Sequence, residues 1–435
     1  MGARETALNA LIACRVEGAW VNEAVKELST RDRLDSRDAA LAARLCYGVV
    51  QNRGRLDFYL NQLYHGKRLH PAVRDILHMG LYQIYDMDRI PASAAVNEAV
   101  SLTRKYCPHQ PKAPGLVNGV LRSAIRTKGT LREPAAYEEK YSHPAELVAL
   151  LKKALPKGTL EPMLIADNEA PPLTVQVNTT RISTDDLLRQ LSETGVSARA
   201  HSWCPDCLIL ENTGRLEQLN AFREGLLYVQ DPASRLSVLC AGLPAEGARV
   251  LDCCAAPGGK SFAAAVAMGG RGEILSCDIH PHKIDLIRAG AERLGFSNVR
   301  PLLQDAAAFV PLWEKQMDCV ITDVPCSGLG IIRKKPDIRY KNLKETEALP
   351  ELQGKILENA ARYVRPGGVL MYSTCTVLPR ENGQVAHAFL EKNPDFVPEA
   401  LPLPAGIVSA ETGMLTLIPG QCDTDGFFIC RMRRK

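Results

Sequence analysis

The front of the chain places its apolar residues at helical spacing. Leu41, Leu45 and Val49 stand four residues apart, and similar spacing recurs almost to residue 128. Apolar positions three or four residues apart lie on one face of a helix. We therefore expect a helical domain over residues 1–128. A stretch punctuated by prolines, 129–171, is expected to form short helices and to connect this domain to the rest of the chain.

Beyond residue 171 the pattern changes to short apolar runs that alternate with helical segments. Residues 172–228 combine two such runs with one helical segment, which predicts a small α+β subdomain. Residues 229–435 alternate more regularly, as doubly wound α/β domains do. The predicted strands are 249–253, 273–278, 299–303, 317–322 and 369–374, the predicted helices 260–267, 281–294 and 351–364. Two last apolar runs, 414–418 and 426–430, predict a closing antiparallel hairpin.

Charge is unevenly distributed. The whole chain carries a formal net charge of +4, but residues 1–128 hold 19 basic against 12 acidic side chains, a balance of +7. A basic front favours a polyanionic partner, although a solvated helical surface would give the same count. No apolar run approaches the roughly 18 residues of a membrane span. The first residues lead into an amphipathic helix, so we expect no signal peptide.

The chain has fourteen cysteines without regular spacing, which indicates reduced thiols in a cytoplasmic protein. Cys204 and Cys207 form its one Cys-x-x-Cys pair, and without a second pair we expect no metal site. Cys326 and Cys375 differ from the others because each follows a predicted strand and is flanked by small or polar residues. A thiolate in such a place is a strong nucleophile, so these two are candidates for covalent catalysis.

A glycine-containing turn, Cys254-Ala255-Ala256-Pro257-Gly258-Gly259-Lys260, follows the first strand of the α/β part and opens a helix. Doubly wound folds hold nucleotide-like ligands at this point. The turn matches neither Gly-x-Gly-x-x-Gly nor the phosphate-loop spacing, which favours an adenosine without a polyphosphate.

Acids stand at the ends of four successive predicted strands: Asp252, Asp278, Asp305 and Asp323. Any one of them could be a helix N-cap, but four together predict ligand contacts. Asp278 is expected to bind ribose hydroxyls and Asp305 an adenine amino group.

These features suit methyl transfer to carbon 5 of cytosine. Thiolate addition to C6 raises the electron density on C5, which can then take a methyl group from a sulfonium donor. A base removes the C5 proton and the thiol leaves. An acid near N3 must support the addition, and Asp323 stands three residues before Cys326 for that task.

At these residues the sequence closely resembles the NOL1/NOP2/Sun family of RNA cytosine-5 methyltransferases. The resemblance covers about residues 170–435 and is carried by the motifs at 254–260, 323–328 and 372–376. The helical front resembles the NusB-type RNA-binding domain. The resemblance implies an α/β, Rossmann-like, S-adenosylmethionine-dependent domain behind an all-α NusB-like domain and a small α+β subdomain. It also implies 16S rRNA as the substrate.

Site residues follow from the same resemblance. S-adenosylmethionine contacts are implied at Cys254, Ala255, Ala256, Pro257, Gly258, Gly259, Lys260, Asp278, Asp305 and Asp323. Cys375 matches the family's nucleophile and Cys326 the cysteine that assists product release. The basic run Arg333, Lys334 and Lys335 falls where the family approaches RNA. DNA cytosine-5 methyltransferases instead attack from a Pro-Cys motif, and by that analogy Cys326 would be the nucleophile.

Two other functions stay open. A tRNA cytosine-5 methyltransferase would use the same chemistry, and the NusB-like front alone would suit a non-catalytic RNA-binding or antitermination factor. An amino-methyltransferase is disfavoured because its Asp/Asn-Pro-Pro-Tyr/Phe motif would have a proline where this chain has Val324 and an aromatic residue where it has Cys326. No coiled-coil pattern is present, so we expect a monomer.

Overall fold

A computed structural model describes residues 2–66 and 68–435 of the chain. The chain forms two compact units. The helical unit runs to Lys153 and also contains Leu164–Glu169 and Ile332–Lys341. The α/β unit contains Ala154–Met163, Ala170–Ile331 and Asn342–Lys435. The division of the chain at residues 128, 171 and 228 stays a prediction.

Ten helices come first along the described chain: α1 Ala3–Val16, α2 Val21–Arg31, α3 Ser36–Gln51, α4 Arg53–Leu63, α5 Pro71–Asp86, α6 Ala92–Tyr106, α7 Ala113–Arg126, α8 Tyr137–Lys140, α9 Ala145–Ala154 and α10 Leu160–Ala166. The helical pattern of the front is confirmed. Leu45, Leu56 and Ile76 are fully buried in a shared core of α1 to α7. The Asp35 side chain accepts a hydrogen bond of 2.8 Å from the Asp38 amide and caps the start of α3.

A small antiparallel sheet opens the α/β unit. Its elements are β1 Leu173–Val177, α11 Thr184–Glu193, β2 Ser197–His201, β3 Cys204–Glu211, α12 Asn220–Arg223 and β4 Leu227–Val229. The strand order is β2-β3-β1-β4, and Leu187 and Leu191 of α11 are buried in its core. Strands β2 and β4 were not predicted. β2 is an edge strand with mostly exposed side chains and β4 has three residues, so neither shows a period-two apolar pattern.

The main sheet follows. Its elements are α13 Pro232–Leu239, β5 Arg249–Asp252, α14 Gly259–Ala267, β6 Glu273–Asp278, α15 Pro281–Leu294, β7 Val299–Leu303, β8 Met317–Asp323, α16 Leu349–Tyr363, β9 Val364–Thr374, α17 Gly383–Lys392, β10 Phe396–Pro398, β11 Met414–Leu417 and β12 Phe427–Arg434. The strand order is β10-β12-β9-β8-β5-β6-β7, and β11 pairs with β12. The five predicted strands and the closing hairpin are confirmed.

One strand boundary was wrong. β9 begins at Val364, five residues before the predicted start at residue 369, and Val364 pairs with Met317 of β8. The register shifts between Met317 and Cys319. The intervening Arg-Pro-Gly-Gly letters suggest a turn, whereas in the structure they form an irregularity inside the strand.

The topology predicts a ligand-binding crevice at the carboxyl ends of the parallel strands. β5 to β9 run parallel to their neighbours, and β12 runs antiparallel to β9. The chain order reverses between β5 and β8, and ligands of doubly wound sheets bind at the carboxyl ends of the strands at such a reversal. Over residues 2–66 and 68–435, no helix is long and apolar enough to cross a membrane.

Candidate active site

Asp252, at the end of β5, lies under the crevice and is fully buried. Its Oδ2 accepts a hydrogen bond of 2.7 Å from the Ser261 hydroxyl of α14, and Ser276 of β6 donates to the same hydroxyl at 2.7 Å. Burial raises the pKa of Asp252 to about 7. Asp252 therefore fixes the start of α14 against β5 and β6.

The turn between β5 and α14 brings backbone close to the crevice. The Ala255 amide donates to the Cys277 carbonyl of β6 at 2.7 Å, which ties the turn to the neighbouring strand. Gly258 has φ +110°, and a Cβ there would lie 2.3 Å from Phe262 Cζ. A Cβ on Gly259 would lie 3.2 Å from Gln230 Nε2. The turn therefore needs glycine at residue 258 on two independent grounds.

Asp278 and Asp305 stand at the ends of the next two strands. Asp278 is buried, and its Oδ1 accepts from the His280 amide at 3.0 Å. Asp305 is exposed, and its Oδ1 accepts from the Ala307 amide at 2.9 Å. Each carboxylate thus uses one oxygen to hold the turn that follows it.

Asp323 ends β8 and pairs with a buried lysine. Lys260 Nζ lies 2.5 Å from Asp323 Oδ2 and 3.0 Å from the Ser234 hydroxyl. The other carboxylate oxygen, Oδ1, accepts from the Ser373 hydroxyl of β9 at 2.8 Å. The ammonium group also lies 5.1 Å from the centre of the Phe427 ring. A carboxylate and an ammonium group are therefore fixed together where β8 and β9 end.

The two predicted thiols meet beside this pair. Cys326 Sγ and Cys375 Sγ are 3.0 Å apart, and both residues are half-buried free cysteines. The Gly330 amide donates to the Cys375 carbonyl at 3.0 Å and closes the Cys326 loop onto the end of β9. The hydrogen bond to Cys375, together with burial, raises the pKa of the Cys326 thiol well above its ordinary value. At neutral pH Cys326 therefore holds its proton beside Cys375.

Sequence reasoning missed three buried polar residues around the thiols: Gln353, Glu381 and Asn382. Glu381 Oε2 accepts from the Ser327 amide, the residue after Cys326, at 2.8 Å. Glu and Asn in a Pro-Arg-Glu-Asn-Gly run suggest an exposed turn. The one sequence feature that indicates a role for Glu381 and Asn382 is that they follow Cys375 by six and seven residues, close enough for the chain to fold back onto Cys375.

The basic run lies in the helical unit, in Ile332–Lys341. Lys335 is exposed, with Nζ 5.8 Å from the centre of the Trp20 ring, whereas Arg333 and Lys334 are half-buried. Arg339 was not predicted and is almost completely buried. Its guanidinium donates to the Gln51 carbonyl at 2.8 Å and to four further oxygens of the helical unit.

Comparison with known proteins identifies the class. Residues 240–433 match the model of the family described as 16S rRNA methyltransferase RsmB/F. Residues 1–126 match the NusB family, and residues 143–217 match the RsmF/B-like ferredoxin-like domain.

Relatives match almost the whole chain. The probable ribosomal RNA small subunit methyltransferase B of Bacillus subtilis (strain 168) is 35% identical, over 99% of this chain and 98% of that protein. The ribosomal RNA small subunit methyltransferase B of Klebsiella pneumoniae (strain 342) is 33% identical over 93% and 92%. The crystal structure of PH0851 has the same fold, with a TM-score of 0.81, 24% identity and coverage of 99% and 98%. The chain therefore belongs to the RsmB/F family of 16S rRNA methyltransferases.

Proposed function

We propose that this protein transfers a methyl group from S-adenosylmethionine to carbon 5 of a cytosine in 16S rRNA through a covalent cysteine–cytosine intermediate. The observation that carries the proposal is the pair of thiols, 3.0 Å apart, beside the Lys260–Asp323 ion pair. Membership of the RsmB/F family supports methyl transfer and the RNA substrate. The two thiols add the means of activating carbon 5.

Cys375 is the nucleophile in this proposal. Its thiolate forms a bond to C6, and the electron pair of the C5–C6 double bond becomes available at C5. That electron pair forms the bond from C5 to the methyl group, and once a base removes the C5 proton, the S–C6 bond breaks, the double bond returns and Cys375 leaves as thiolate. The raised pKa of Cys326, caused by its hydrogen bond to Cys375 and by burial, supports this order, because Cys326 keeps its proton while Cys375 attacks. Cys326 then assists release.

Asp323 supports the addition at the other side of the ring. When the thiolate attacks C6, negative charge develops on the N3 side of the cytosine ring. A proton or a strong hydrogen bond at N3 therefore favours the addition. In this proposal the proton passes from the Lys260 ammonium group to Asp323 Oδ2 and on to N3 as the thiolate adds, and it returns by the same path on release. Lys260, at 2.5 Å, and the Ser373 hydroxyl, at 2.8 Å, fix the orientation of the carboxyl group.

The crevice has hydrogen-bonding groups that suit S-adenosylmethionine. Asp278 suits ribose hydroxyls, exposed Asp305 suits an adenine amino group, and the glycine turn lets backbone amides approach. When bound, the cofactor supplies an electrophilic methyl group on a sulfonium. The residues that we propose to hold it are Cys254, Ala255, Ala256, Pro257, Gly258, Gly259, Lys260, Asp278, Asp305 and Asp323.

Basic surface of the helical unit supports RNA binding. A cavity of about 330 Å³ is lined by Arg15, Arg53, Arg68 and Arg74, with Asp75 paired to Arg15 at 3.0 Å. Such a surface can hold phosphates without reading sequence. In the basic run Arg333, Lys334 and Lys335, the exposed Lys335 is the one most open to RNA. We further propose that the protein acts as a monomer in the cytoplasm.

Mapping of 5-methylcytosine tests the proposal. The purified protein is incubated with methyl-labelled S-adenosylmethionine and either unmodified 16S rRNA or tRNA, and the products are sequenced after bisulfite treatment. We expect one methylated cytosine in 16S rRNA. Cys422→Ala, which removes another half-buried thiol, is the matched control and retains activity. Methylation of tRNA alone would contradict the substrate, and absence of 5-methylcytosine from both RNAs would contradict the chemistry.

A further inference from the structure

The loop of Cys326 is held on both sides by buried side chains from elsewhere in the α/β unit. The Pro325 carbonyl, just before Cys326, accepts from Gln353 Nε2 of α16 at 2.9 Å. The Ser327 amide, just after it, donates to Glu381 Oε2 at 2.8 Å. Gln353 Nε2 also donates to Glu381 Oε2 at 3.0 Å. The two peptide groups around the thiol are therefore fixed by one connected pair of side chains.

Asn382 contacts the residues on either side of Cys375. Its Oδ1 accepts from the Thr374 hydroxyl at 2.5 Å, and its Nδ2 donates to the Thr376 carbonyl at 2.9 Å. Both bonds are buried, and Asn382 itself is 2% exposed. One amide side chain thus bridges the residues before and after Cys375.

Glu381 and Asn382 are consecutive, so one dipeptide carries a separate side-chain anchor for each thiol. Glu381 ends the short turn Pro379–Glu381, and Asn382 precedes α17. The Tyr372 hydroxyl of β9 donates to the Glu381 carbonyl and ties this dipeptide back to the strand that leads to Cys375. The spacing of the two sulfur atoms therefore depends on one rigid dipeptide.

Stability alone does not account for a carboxylate at this place. Glu381 is fully buried, and its Oε1 has no hydrogen-bond partner among residues 2–66 and 68–435. A buried charge that is only partly hydrogen-bonded costs more than an apolar side chain of the same size. An unsatisfied buried group of this kind calls for a functional reason.

We propose that Glu381 and Asn382 are positioning residues that each serve one thiol of the reaction: Asn382 places Cys375 for attack on the base, and Glu381 places Cys326 for product release. The proposal rests on the covalent chemistry proposed above. In this proposal, two neighbouring residues act on the two steps of the reaction cycle only through the thiols that they position, and neither residue touches the substrate or the cofactor.

Single-turnover kinetics on the full-length protein separates the two steps. Adduct formation and adduct decay are followed with 16S rRNA and labelled S-adenosylmethionine by denaturing electrophoresis. We expect Asn382→Ala to slow adduct formation by about tenfold or more and to leave decay unchanged. Glu381→Ala should leave formation unchanged and slow decay by about tenfold or more. Glu391→Ala, in α17, and Asn393→Ala, directly after that helix, are matched controls and should change neither rate.

A conservative variant distinguishes positioning from charge. Glu381→Gln keeps an oxygen that can accept from Ser327 and Gln353, so adduct decay should stay within about threefold of the wild type. Decay as slow as in Glu381→Ala would overturn a positioning role. If Glu381→Ala does not fold, Gln353→Met removes the bond to the Pro325 carbonyl and should slow decay in the same way.

Two further outcomes are decisive. If both alanine variants slow formation and decay equally, in step with a loss of thermal stability, the residues are only structural and the proposal is wrong. Failure of the covalent chemistry is recognised separately, because then the wild-type protein and Cys326→Ala form no adduct at all.

Discussion

The two thiols lie 3.0 Å apart, yet their segments are held in different ways. Cys375 directly continues β9, which pairs with β8 on one side and β12 on the other. Cys326 lies in a loop three residues beyond the end of β8, and that loop depends on Gln353 and Glu381. The proposed nucleophile thus takes its position from the end of a paired strand, with one side chain, Asn382, bridging the residues on either side of it. The second thiol takes its position from polar contacts with residues distant in sequence. Changes in these contacts should therefore alter the rate of product release.

Loss of the nucleophile should give the largest effect. We expect Cys375→Ala to lower the rate of methyl transfer by on the order of 10³-fold or more, because no other group activates carbon 5. Cys326→Ala should still attack the base but stall as a protein–RNA adduct. Initial rates and denaturing gels measure both. An adduct in Cys375→Ala together with none in Cys326→Ala would exchange the two roles.

Asp323 should contribute the next largest effect. Asp323→Asn keeps the shape of the side chain but cannot transfer a proton to N3, so adduct formation should slow by about 10²–10⁴-fold. Adduct formation by the Cys326→Ala protein with and without this change isolates the step. Asp285→Asn, on the surface of α15, is the control. An unchanged rate in Asp323→Asn would rule out this role.

Alkylation should distinguish the thiols without RNA. The pKa of Cys326 is raised by its hydrogen bond to Cys375 and by burial, so at pH 8 a smaller fraction of it is thiolate than in an ordinary cysteine. Its reaction with iodoacetamide should therefore be slower than that of an ordinary cysteine by about tenfold or more. Its labelling should become faster as the pH is raised. In Cys375→Ala the hydrogen bond is lost, the pKa of Cys326 falls and labelling at pH 8 should become faster. Peptide mass spectrometry measures each site, and equal rates in both proteins would contradict the coupling.

The smallest effect is expected where the two segments touch through hydroxyls. Ser327 Oγ and Thr376 Oγ1 are 2.8 Å apart and buried. Ser327→Ala should lower the free energy of unfolding by about 1 kcal/mol and change adduct decay by only a few-fold. Ser297→Ala, at an exposed position, should have no effect. Chemical denaturation measures the free energy of unfolding, and single-turnover kinetics measure the rate of adduct decay. Adduct decay as slow as that in Glu381→Ala would show that the hydroxyls, not Glu381, hold the loop.

The parts that the sequence could predict follow from local pattern. Strands buried on both faces appear as apolar runs, and acids or thiols directly after such runs must lie at the carboxyl edge of a parallel sheet. Cys326, Cys375 and Asp323 were predicted on that basis, and Lys260 was predicted from the glycine-containing turn and the family resemblance. The structure brings the four residues together.

The parts that it could not predict depend on tertiary contacts. Gln353, Glu381 and Arg339 are polar residues, which are exposed in most proteins, and their burial becomes visible only when distant segments meet. The edge strand β2 has an exposed pattern that is no different from that of a loop. The roles assigned to the site residues stay predictions until they are measured.

One measurement tests the central claim most directly. The Cys326→Ala protein is incubated with 16S rRNA and S-adenosylmethionine, the adduct is isolated and digested, and mass spectrometry locates the cysteine that carries the nucleotide. We predict a methylated cytosine attached to Cys375. Attachment to any other residue, or complete turnover without an adduct, would contradict the division of labour between the two thiols.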